Sequence, residues 1–294
     1  MPIADVNGIQ LSYEEAGPAD GPALLLVMGL GAQRVGWPPY LIEPLADAGV
    51  RVVAYDNRDV GESTWLDHAP PVGLAELFGS FRAGRPLPPP YTLSDMAADG
   101  IALLDHLDIP AAHVAGASMG GMIVQRMAVE HPGRVLSLTS VMSTPGDPSL
   151  PGPTPAATEA LLSPTPTDDR ETYVAVSLEK RKVLGSPGLA WDDEWVVEAI
   201  GTSYDRGVNP AGFLRQYHAI LSDGDRTADL AGLDVPALVV HGADDPLIPV
   251  AAGRATAAAI PGARLEEIGG MGHDIPPAAA ERMVELLLPL VLGS

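Results

Sequence analysis

The chain has no cysteine among its 294 residues, which excludes disulfides, zinc–thiolate sites and cysteine nucleophiles. Lysine is almost missing too, standing only at Lys180 and Lys182, and 17 basic residues face 38 acidic ones for a formal charge of −21. Such a balance opposes binding to nucleic acid or to an anionic membrane surface. No apolar run reaches the roughly 18 residues that suggest a spanning helix. The start, Met1 to Asn7, lacks the basic and apolar regions of a secretory signal. These absences lead us to expect a cytoplasmic protein, monomer or homodimer, whose partner is a small molecule rather than a nucleic acid or a membrane.

What is present is an alternation of strands and helices. Ile9–Tyr13 alternates with period two, whereas Ala23–Val27 is continuously apolar between turn residues, as in a strand covered on both faces. Arg51–Tyr55, Ala112–Ala115 and Val135–Val141 follow, with helical spacing at 39–48, at 94–107 (Ser94 as N-cap) and at 119–130. Prolines 145, 148, 151, 153, 155, 164 and 166 then interrupt the pattern, and no strand can be drawn through 143–166. Helical stretches at 169–184, 192–203 and 209–221 lead to a buried strand at Ala237–Val240, a helix at 250–260, a strand at Arg264–Ile268 and a closing helix at 276–288. The expectation is an α/β fold, with a mostly parallel sheet flanked by helices. Residues 1–142 and 231–294 form its core, and 143–230 form a helical cap, or lid, beyond the carboxyl ends of the strands, where ligands bind in such sheets.

Three short motifs fall at that edge. Gly116-Ala117-Ser118-Met119-Gly120 joins an apolar strand to a helix, the setting in which a Gly-x-Ser-x-Gly turn presents a serine nucleophile. Alone, it is a weak signal that fits any glycine-rich turn with a capping serine. A serine hydroxyl also needs a base, and the base an acid to fix its tautomer. Of seven histidines, His273 stands out because Gly269-Gly270-Met271-Gly272-His273 follows the last strand. The acid comes from Asp244-Asp245-Pro246 after the preceding strand. Asp245 is preferred, since Pro246 holds its backbone extended, with Asp244 as runner-up. The order Ser118, Asp245, His273 is the one expected of this topology. Two backbone N–H groups should face a developing oxyanion: those of Met119 and of Leu30, in the glycine-rich Met28-Gly29-Leu30-Gly31 turn.

On these motifs the chain resembles the α/β-hydrolase superfamily over nearly its whole length. Asp56-Asn57-Arg58-Asp59-Val60-Gly61-Glu62-Ser63 is similar to that family's Asp-x-Arg-Gly-x-Gly loop after the fourth strand, which is mostly structural there, its Asp and Arg bracing the loop. Val27-Met28-Gly29 through Gly36-Trp37-Pro38, together with Tyr55–Thr64 and Gly269–His273, most resembles the capped aclacinomycin methylesterase group. The resemblance implies a serine-dependent carboxylic ester hydrolase without metal or organic cofactor, with a cap inserted after the sixth strand and substrate between cap and core. Gly29 and some of Trp191, Trp195, Tyr204, Phe213 and Tyr217 are expected to line an apolar acyl or alcohol pocket, the other role of each aromatic being to pack the cap on the core. One departure is Met28, where many relatives carry histidine. Carbon–carbon bond hydrolysis, lactone opening, cofactor-free perhydrolysis and acyl transfer remain open on the same three residues. So does a non-catalytic ligand-binding protein. Epoxide hydrolases and haloalkane dehalogenases are disfavoured because they carry Asp in place of Ser118. A metal hydrolase built on His241, Asp244 and Asp245 lacks a further ligand at suitable spacing.

Overall fold

A computed structural model describes residues 2–293. Eight strands pair into one sheet in the order β1-β2-β4-β3-β5-β6-β7-β8. They are β1 (Ile3–Val6), β2 (Ile9–Ala16), β3 (Ala23–Val27), β4 (Arg51–Tyr55), β5 (Ala112–Ala117), β6 (Val135–Val141), β7 (Ala237–Gly242) and β8 (Arg264–Ile268). β1 and β2 run antiparallel to their neighbours, and β3 through β8 are parallel. The fully apolar β3 is buried at every position, as its place at the centre of a doubly covered sheet demands. β1 was not apparent from the sequence, because this edge strand buries only alternate residues.

Helices α1 (Pro39–Asp47) and α11 (Pro277–Leu292) cover one face of the sheet, and α3 (Leu93–His106) and α4 (Met119–Glu130) the other. Leu41, Leu45, Met283 and Leu287 pack with Leu24, Leu26 and Val52 in the first layer. Met96, Ile101, Ile123 and Met127 pack with Leu25, Val53 and Val114 in the second. The cap of α3 is Thr92 rather than Ser94, because Thr92 and Asp95 form a reciprocal capping box. Two further elements are α2 (Leu74–Arg82), after β4, and α10 (Val250–Ala259), after β7. No helix among the described residues is long and apolar enough to cross a membrane.

Between β6 and β7 lie α5 (Pro155–Leu162), α6 (Arg170–Leu184), α7 (Asp193–Asp205), α8 (Pro210–Asp223) and the short α9 (Thr227–Leu230). α5 sits inside the proline-crowded stretch because Pro155 occupies the first turn, where its missing N–H is harmless, and Thr154 caps Ala157 N–H. These helices are fastened to the core at the 56–63 loop. Buried Arg215 of α8 makes paired bonds to Asp59, Nε–Oδ2 at 2.8 Å and Nη2–Oδ1 at 2.6 Å. Gln33 donates to Ser203 O at 2.7 Å and Gly207 O at 2.8 Å. Asp56 accepts from Arg34 N–H at 2.7 Å and also meets the side chains of Arg34 and Arg206. Burial pushes its carboxyl up to about 6 despite these donors. The Asp and Arg expected to brace this loop are both tied down, Asp56 as above and Arg58 by Asp99, Nε–Oδ2 at 2.6 Å.

Candidate active site

Ser118 sits at the turn from β5 into α4 with φ +56° and ψ −119°, a region that a serine occupies only under strain. The surrounding backbone imposes it. A Cβ on Gly116 would lie 2.1 Å from Gly120 O, and one on Gly120 would lie 2.0 Å from Val27 O, so both positions exclude any side chain. Ser118 N–H donates to Val141 O at 2.9 Å, and Ser118 O accepts from Ser143 Oγ at 2.7 Å. Strand, turn and helix thus clamp the serine from both sides.

His273 Nε2 lies 3.0 Å from Ser118 Oγ, and His273 Nδ1 lies 2.7 Å from Asp245 Oδ2. Asp245 follows β7 and is buried. Its other oxygen, Oδ1, accepts from Leu247 N–H at 2.8 Å and Ile248 N–H at 2.9 Å. That turn, rather than Pro246 alone, aims the carboxylate. Asp244 points elsewhere and accepts Gly270 N–H at 2.8 Å. His241 Nε2 faces Ile248 O at 2.8 Å, and burial lowers its pKa. His241 Nε2 also stands 3.8 Å from Asp245 Oδ2, but Asp244 is turned to Gly270, and the three form no metal-ligand cluster among the described residues.

Leu30 and Met119 flank the serine, and neither main-chain N–H has an acceptor among the described residues. Gly29 lies against Ser118, where a Cβ would come 3.1 Å from the serine Cβ. Met28, in the position many relatives give to histidine, is buried with its methyl 3.2 Å from where a Cβ on Gly36 would be, and it lines the same cavity as Ser118 and His273. The turn is held by other groups. Asn57 Nδ2 donates to Met28 O at 2.9 Å, and Gln216 of α8 accepts Gly31 N–H at 2.8 Å while donating to Arg58 O at 2.8 Å. Gln216 carries no sequence signal, since a buried glutamine in an amphipathic helix looks like any polar position.

Ser118 and His273 open onto a cavity of about 480 Å³ lined chiefly by apolar side chains, including Met122, Met142, Leu184 and Ile220. Of the aromatic residues proposed from the sequence, Trp195 and Tyr217 line it. Phe213 lines a second chamber of about 590 Å³ that shares Leu30, Ala32, Gly36 and Leu161 with the first. Tyr204 and Trp191 line neither chamber. Tyr204 donates to Thr167 O at 3.1 Å and packs on Tyr173, and Trp191 lies over Arg181. Tyr204 lies on α7, whose spacing does not say which side meets the core, and Trp191 lies in the loop between α6 and α7.

The model of the family with the α/β hydrolase fold matches residues 22–277. The chain belongs to that family. Among relatives of this α/β hydrolase is rhodomycin D methylesterase from Streptomyces peucetius, 32% identical over 286 residues, with 90% of this chain and 88% of the relative covered. A putative carbamate hydrolase from Variovorax paradoxus is 30% identical over 276 residues, covering 92% of each. The enol-lactonase from Burkholderia xenovorans superposes with a TM-score of 0.72 at 24% identity, covering 99% of this chain and 100% of that one. That likeness bears on the fold alone.

Proposed function

We propose that this α/β hydrolase cleaves carboxylic esters of small molecules through an acyl-enzyme on Ser118. The observation that carries the reading is the continuous line from Ser118 Oγ through His273 to buried Asp245, at 3.0 Å and 2.7 Å. His273 takes the hydroxyl proton as Ser118 Oγ attacks the ester carbonyl, and Asp245 stabilises the imidazolium. The unoccupied N–H groups of Leu30 and Met119 receive the oxyanion. His273 then protonates the departing alcohol. Water, deprotonated by the same histidine, releases the acid. The two relatives at 30% identity or above named here, one a methylesterase and one a putative carbamate hydrolase, agree with acyl transfer to water.

In this reading residues 143–230 act as the cap over a core of 1–142 and 231–294, and substrate sits between them. Trp195, Tyr217 and Phe213 supply apolar contact from the cap. A cysteine-free chain suits the cytoplasm. The test is hydrolysis of p-nitrophenyl esters of increasing acyl length by wild type and Ser118→Ala. Activity that vanishes in the variant, with phosphonate labelling of Ser118, supports the mechanism. A wild type that neither turns over esters nor takes the label is a binding protein.

A further inference from the structure

One cation lines the chamber of Ser118 and His273. Arg181, on the last turn of α6, borders that cavity together with Asp274. In an otherwise mainly apolar lining, a guanidinium carries a desolvation penalty unless its donors are matched. Protein groups match few of them. Arg181 Nη2 donates to Asp274 Oδ2 at 3.2 Å, a single long contact rather than a paired fork, and Asp274 Oδ1 is occupied by Ser186 Oγ. Among the described residues, Arg181 Nε is buried with no partner, and no protein acceptor meets Nη1. Trp191 covers one face of the guanidinium at 5.5 Å, which restrains the group. Most of the other arginines are committed to ion pairs, among them Arg58 with Asp99, Arg126 with Asp223 and Arg215 with Asp59.

We propose that Arg181 is a specificity residue that receives a carboxylate carried by the ester substrate, so that the preferred substrates are half-esters of dicarboxylic acids rather than neutral esters. The inference rests on the ester-hydrolase reading above. With a net charge of −21, the protein as a whole offers an anion no attraction. Selection therefore has to come from a local group with spare donors, and guanidinium is suited to a two-oxygen acceptor. Asp274 follows His273 directly, so an alternative is that Arg181 only braces the histidine loop. The two roles differ in what they do to substrate ranking: a brace changes every substrate alike.

The test uses monomethyl and dimethyl succinate, glutarate and adipate. Calorimetry on Ser118→Ala reads binding without turnover. The best half-ester should bind roughly tenfold tighter than its diester, as one partly exposed charge pair with hydrogen bonds supplies. Arg181→Met on that background should abolish the difference, and Arg181→Lys should restore part of it. In turnover, the ratio of kcat/KM for half-ester over diester should fall by about tenfold in Arg181→Met. It should rise in Asp274→Asn, which frees the guanidinium from its carboxylate. Equal binding of half-ester and diester, or variants that lower both rates with the ratio unchanged, would overturn the proposal. If wild type hydrolyses neither ester while the calorimetric preference persists, the ester-hydrolase reading fails and the carboxylate site stands.

Discussion

The two loops that bring Ser118 and His273 together are held by different parts of the molecule. The serine turn is fixed by the core: by β5, β6 and the glycines that let Val27 and Gly120 pass within van der Waals distance. The histidine loop is held from two sides: Asp244 and Asp245 bond Gly270 N–H, Met271 O and His273 Nδ1 from the end of β7, and the end of α6 with the segment after it adds a second set. His273 N–H donates to Leu184 O at 2.8 Å, Gly272 N–H to Ser186 Oγ at 3.0 Å, and Gly188 N–H to Gly270 O at 3.0 Å, all between the end of α6 and the loop. On the proposed mechanism the nucleophile is braced mainly by strands of the sheet, whereas the base also depends on the segment that follows α6. Changes on the two sides should therefore separate stability from rate.

The largest effect is expected for Ser118→Ala, which removes the nucleophile and leaves both sets of braces. Ester hydrolysis should fall by about 10⁴-fold or more, with the thermal midpoint unmoved in calorimetry. An unchanged rate would sink the mechanism. Gly120→Ala attacks the core brace. Its methyl would meet Val27 O at 2.0 Å, and the turn must shift, at a cost of about 3 kcal/mol or more, read as a lowered urea midpoint. Ser186→Ala attacks the outer brace. It should lower kcat by roughly tenfold and cost only ~1 kcal/mol in stability, and equal damage to both quantities would contradict the division drawn here.

The smallest effect concerns the core beneath the acid. Burial lowers the pKa of His241 below 6.5 in the folded state. The unfolded chain therefore binds its proton first as pH falls, and the contribution of His241 to stability is fully present above pH ~6.5 and lost below it. Between pH 7 and 5, wild type should lose stability relative to His241→Asn by on the order of 1 kcal/mol, measured by urea unfolding at each pH. A flat difference would place the proton elsewhere.

The legible part of this protein was the part in which one local pattern decides the structure. β3, β5 and β7 lie between other strands and are mainly apolar, with His113 and His241 as the exceptions, so their sequences announce both element and location. The three motif residues each end a strand, so topology brought them to one edge. β1 is short and half exposed. α2 buries only Leu77, and α6 buries no residue fully. For such helices apolar spacing does not point to a face, so the place of Arg181 on α6 could not be read from the sequence.

Gln216 also constrains how this scaffold can be rebuilt. Because one side chain of α8 grips both Gly31 and Arg58, transplanting the inserted helices from a relative would exchange more than the pocket wall. It would replace a clamp on the turn that presents Leu30. Chimeras should accordingly carry α8 and residues 28–33 from the same parent, as a single interchangeable part.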